Sequence, residues 1–122
     1  DSSTSRGLGD VYKRQLTLGE NIADLGGAKA AFRAYKISLG GNPSPIIDNY
    51  TGEQRFFIGT AQSDRVKFRK EIQAMRVATD PHSPARFRVD GVVINMKEFH
   101  QSFSTQPGDK LYRTDDQIIL IW

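Results

Sequence analysis

Two short stretches of this 122-residue chain combine residue types and spacings capable of chemistry. In GENIAD, residues 19 to 24, Glu20 and Asp24 stand four positions apart with no Lys or Arg beside them. On a helix those positions are neighbours on one face, where like charges cost roughly 0.2–0.5 kcal/mol unless a cation or a histidine answers them. A carboxylate is a standard ligand of catalytic zinc, and a second acid can hold a ligating histidine through its far ring nitrogen. The same pair in the first turn of a helix also complements the helix dipole, and spacing alone favours that simpler role.

The second stretch is DPHSPARFR, residues 80 to 88, where two prolines flank His82 and Arg86 and Arg88 follow. A histidine there can donate to a developing oxyanion, and an arginine fork can grip a carbonyl or carboxylate. A plain turn, with His82 bonded to nearby backbone and the arginines solvated, fits the residues equally well. His100, the other histidine, lies beside Phe99 and Phe103 and reads as a packing or surface residue.

These groups need elements to hold them. From Glu20 to about Leu39, apolar residues recur at spacings of three and four, the period of one helix face. Gly26 and Gly27 inside that helix suggest a close neighbour. GGNPSP, residues 40 to 45, ends it. TGEQ has capping-box spacing at Thr51 and Gln54, and it introduces a long helical run through Phe57, Ile58, Phe68, Ile72 and Met75. The charges between those anchors, Arg65 to Glu71, read as a solvated face. TDPHSPARF reads as a loop. Asn95 and Glu98 have N-cap spacing for a short helix with Met96, Phe99 and Phe103 on one side. PGD, residues 107 to 109, turns the chain, and IILIW suits a buried strand or an extended tail.

Residues 1 to 15 lack periodicity and change abruptly at Leu16; DVYKRQ there matches the translation of a transposase-end sequence. They are expected to be a non-native or flexible leader, with the domain portion running from 16 to 122. At 38% hydrophobic and 25% charged, the chain fits a folded globular segment rather than a disordered one. The net charge of +3 is only a weak pointer to nucleic acid. No apolar run approaches the roughly 20 residues of a membrane span, so no membrane contact by this segment is expected.

Taken together, GENIADLGG, TGEQRFFIGTAQ, TDPHSPARFRVDGVVINMKEF, PGD and the terminal Trp122 resemble the end of zinc metallopeptidases of the neprilysin and endothelin-converting-enzyme family. The resemblance runs from about Leu16 onward. It implies a mainly α (α+β) fold, the C-terminal helical part of a zincin, thermolysin-like catalytic domain. It places the third protein ligand of a single catalytic zinc on Glu20 and the orienter of a zinc-binding histidine on Asp24. It places oxyanion stabilisation on His82 and binding of a substrate carbonyl on Arg88; Arg86 matches no functional position. The implied reaction is hydrolysis of short peptides before hydrophobic residues by a zinc-activated water. An exported setting is implied as well.

Departures accompany the likeness. The His-Glu-x-x-His motif that supplies two zinc ligands and the base occurs nowhere in this sequence. The chain alone is therefore expected to be inactive, its site completed by an N-terminal part of the same protein. After AQ, relatives usually carry an aromatic residue where this chain has Ser63, Asp64 and Arg65. There is no cysteine, including the one vertebrate relatives place near the final tryptophan, which favours a bacterial-type member. The alternative from a different class is a stand-alone helical protein-interaction module, with a small nucleic-acid-binding domain weaker still.

Overall fold

A computed structural model describes residues 2–80 and 83–121, with side chains described from Thr17 onward. Five helices follow one another: α1 (Ser2–Ser38), α2 (Gly52–Ser63), α3 (Lys70–Thr79), α4 (Ala85–Val93) and α5 (Lys97–Phe103). A 3-10 turn at Asp115–Gln117 precedes the tail. Among the described residues the sole β pairing is an isolated antiparallel bridge between Ile47 and Tyr50, so the fold is helical. No helix among them is long and apolar enough to cross a membrane.

The helix carrying Glu20 and Asp24 ends where Gly40 and Gly41 take positive φ of 59° and 85°, a conformation that costs glycine little and most other residues much. It begins earlier than its periodicity suggests, because Ser2 to Gln15 continue the same helix. Extending a nucleated helix costs little per residue, so no apolar stripe is needed there. Of the adjacent glycines Gly26 and Gly27 within it, Gly26 is buried, whereas Gly27 is exposed and a Cβ there would meet nothing within 4 Å. The expected close neighbour is thus absent at Gly27.

The capping box of α2 forms as its spacing requires. Gln54 N donates to Thr51 Oγ1 at 3.1 Å, and Thr51 N donates to Gln54 Oε1 at 3.0 Å. The long run expected after it is two helices, not one. Ser63 Oγ bonds back to Thr60 O at 2.7 Å, and Asp64 leaves helical geometry at φ −99°, ψ 10°. Short polar side chains compete for local backbone in this way and end helices. Six residues later α3 begins, and none of its residues is buried.

Residues 85–87, expected as loop, open α4, which is entered through Pro84 as N-cap. Its sequence, ARFRVDGVV, hides the helix behind a glycine and three β-branched valines of modest helix propensity. The cap expected at Asn95 is also replaced. Met96 is the N-cap of α5, without a side-chain cap bond. Asn95 is buried, and its amide spans two elements: Nδ2 donates to Gly91 O at 2.9 Å, and Oδ1 accepts from Ile119 N at 2.9 Å. That bond holds residues 118–121 as an extended tail, not a strand.

The core joins α1, α2, α4 and α5. Leu25, Phe32, Phe57, Val92, Val93 and Met96 are buried together, with Phe56, Phe99 and Phe103 packed against them. Phe57 stacks on Phe32 at 5.4 Å and meets Phe99 edge-on at 5.5 Å, geometries that suit the ring quadrupole. This aromatic cluster fixes the half of α1 that follows Glu20 and Asp24, and Val92 and Val93 seat α4 against it.

Candidate functional site

Glu20 and Asp24 occupy successive turns of α1 and are both half-buried. Asp24 has an answering cation, and it comes from the second stretch. Arg88 Nε donates to Asp24 Oδ2 and Arg88 Nη2 to Asp24 Oδ1, each at 2.9 Å. Two parallel N–H···O bonds of this kind form the planar, bidentate pair that only arginine provides. One turn into α4, Arg88 is at the height where its side chain reaches across to α1. Its Nη1 lies 4.0 Å from Asp64 Oδ1, at the break between α2 and α3.

The electrostatics follow from this placement. The hydrogen-bonded Asp24 carboxylate raises the Arg88 pKa above its ordinary value, against the effect of partial burial. The charges of Asp24, Asp64 and Asp80 act in the same direction as the hydrogen bond. Arg88 is therefore a fixed cation among acids from three parts of the chain. Only two of the five guanidinium N–H donors are spent on Asp24, and the carboxylate keeps further lone pairs. Both partners retain capacity for a ligand or another side chain.

A second bond ties the same elements together. Ser83 Oγ donates to Asn21 Oδ1 at 2.8 Å, immediately next to Glu20 in the chain. Arg88 and Ser83 line both an open cavity of about 640 Å³, with Asp64, Phe68, Arg76 and Val77, and an apolar one of about 410 Å³, with Leu18, Ile22, Phe87 and Ile119. Arg76 lies over the Phe68 ring, 4.5 Å from its centroid, at the edge of the larger cavity.

His82 lies outside the described residues. Arg86 is well exposed and, among the described residues, pairs with Asp90 at 3.7 Å, apart from the Arg88–Asp24 pair. His100 is spent in the fold: its Nδ1 lies 2.8 Å from Thr105 Oγ1 and its Nε2 2.9 Å from Ile94 O. Among the described residues no three His, Asp or Glu side chains converge as a metal-binding group. The structure thus brings Asp24 and Arg88 together, with Glu20 one turn away. Asn21 and Ser83 are not legible as site residues from the sequence, since their polar types at those positions carry no signal of their own. Asp64 stands out there only as a departure from a family pattern.

Comparisons with known proteins agree with one another. A family model described as Peptidase family M13 matches residues 2–119. Neprilysin-3 of Drosophila melanogaster is 41% identical over 111 residues, 88% of this chain and 14% of that protein. Human endothelin-converting enzyme 1 is 42% identical over 106 residues, covering 84% of this chain and 14% of its own length. The crystal structure of the Mycobacterium tuberculosis zinc metalloprotease Zmp1 in complex with inhibitor superposes with a TM-score of 0.85 at 48% identity, over 88% of this chain and 16% of that one. This chain therefore spans about one seventh of the curated relatives it matches.

Proposed function

This chain belongs to peptidase family M13, and on that premise we propose that it is a helical part of a zinc metalloendopeptidase catalytic domain, contributing Glu20, Asp24, His82 and Arg88 to the active site. The proposed reaction is cleavage of short peptides before hydrophobic residues. The observation that carries the reading is the bidentate Asp24–Arg88 pair, which unites two motifs 64 positions apart. A helix-dipole role for the acids gives no reason for such a partner.

Glu20 suits a zinc ligand by chemistry and by place, being a half-buried carboxylate on the turn before the Asp24–Arg88 pair. The chain has two histidines, and the ring nitrogens of His100 are already engaged. The remaining zinc ligands and the general base come, in this reading, from parts of the peptidase beyond this segment. Zinc, when bound, supplies Lewis-acid polarisation of a peptide carbonyl and activation of a water. Asp24 accepts two bonds from Arg88 and keeps lone pairs for the ring N–H of a ligating histidine, whose orientation it fixes. Arg88 offers its unspent N–H groups to a substrate carbonyl, and His82 donates to the oxyanion that forms on the substrate.

Substitution at Glu20 tests the assignment. In the whole peptidase, Glu20→Gln keeps the shape of the side chain and removes the charge. It is expected to lose zinc, measured by metal content after dialysis, together with peptide hydrolysis. Full zinc occupancy and activity in that variant would refute the ligand role.

A further inference from the structure

Ser83 stands where the chain turns into α4, and its bond to Asn21 is a second attachment of that helix to α1. Five residues on, Arg88 makes the first, to Asp24. Asn21 and Asp24 are three positions apart, neighbours on one helix face. Val92 and Val93 seat the far end of α4 in the core, and a single bond at its start leaves the starting end free to swing. A second point, about one turn away along α1, removes that freedom. Because Ser83 and Arg88 line the same two cavities, the seat of α4 decides which way the unspent N–H groups of Arg88 point.

We infer that Asn21 and Ser83 are positioning residues: together they set the seat of α4 on α1 and so aim Arg88, a role that rests on the reading of Arg88 as substrate-binding. The bond is not what holds the two helices together. Asn21 is exposed, while Leu25 of α1 and Val92 of α4 are buried in the shared core. Breaking the bond therefore leaves the fold in place and loosens an angle. A substrate-gripping group set at the wrong angle binds more weakly, although the broken bond itself touches no substrate.

The test uses the zinc-loaded, full-length peptidase that carries this segment, with a peptide substrate. Ser83→Ala and Asn21→Ala are each expected to raise KM roughly three- to tenfold, the range one neutral hydrogen bond covers. kcat and the melting temperature change little. The double variant is no worse than either single one, and Ser83→Thr, which keeps the hydroxyl, restores KM. Wild-type KM in both single variants, additive effects in the double variant, or a Ser83→Thr enzyme as impaired as Ser83→Ala each overturn the positioning role. A defect confined to kcat or to melting temperature does the same. Arg88→Ala separates the two levels. If it raises KM while Asn21→Ala and Ser83→Ala do not, only the positioning role falls; if it leaves KM unchanged, the substrate-binding reading falls with it.

Discussion

Among the described residues two ion pairs tie α1 to its neighbours, and Arg88–Asp24 is one of them. At the other end of the helix, Lys36 Nζ lies 2.6 Å from Glu53 Oε1, and Ser44 Oγ donates to the other oxygen. The Lys36 bond, with the Ser44 hydroxyl second, lowers the Glu53 pKa from 4.5 to about 2. Such a group contributes stability that is complete above its unfolded pKa and fades as pH falls toward the folded one. Unfolding free energy is therefore expected to drop between pH 4.5 and about 2. Lys36 is half-exposed and solvent screens the pair, so the drop is on the order of 1 kcal/mol or less. Urea unfolding across that range should show a smaller slope in Glu53→Gln than in the parent chain, and identical slopes would remove Glu53 as a source of acid sensitivity.

At the level of elements, the start of α2 is built around the absence of a side chain. Gly52 is buried, its N–H donates to Ser44 Oγ at 3.1 Å, and a Cβ there would fall 1.8 Å from the Tyr35 hydroxyl and 2.9 Å from Ser44 Cβ. Gly52→Ala must push the Tyr35 ring off α1's C-terminal turns and disturb the Ser44–Glu53 bond, for a cost of about 1–3 kcal/mol. Gly59, mid-helix and facing open space, is the internal control. There alanine is expected to stabilise by up to about 1 kcal/mol through helix propensity. Urea midpoints that move in opposite directions support the account, and a neutral Gly52→Ala sinks it. The contrast also marks what local pattern reveals. Thr51 and Gln54 are legible because both halves of a capping box lie within one turn. Asn95 and Asp64 are not, since Asn95 is recruited by Ile119 and Asp64 faces Arg88, partners 24 residues away in each case.

Across the whole molecule the same distinction separates the core from the site. Phe32, Phe57, Met96 and Phe99 can be picked out by helical spacing, which reports one face of one helix at a time. That Asp24 meets Arg88 is invisible to spacing, because it depends on how α4 seats against α1. Roles for Glu20 and Asp24 are readable only through a resemblance spread over several blocks. The core also grades the molecule's stability. Its buried residues belong to α1, α2 and α4, with Met96 leading α5, whereas α3 buries none and leaves Ile72, Met75 and Val77 exposed. Local opening is cheapest where few apolar neighbours oppose it. Amide hydrogen exchange on this chain is therefore expected to be fastest, among the helices packed beyond Thr17, in α3. The slowest amides should lie in α1 around Phe32 and in α2 around Phe57, where the rings stack. Exchange in α3 as slow as in α2 would show that its apolar side chains find a partner in solution, and would place it inside the cooperative unit.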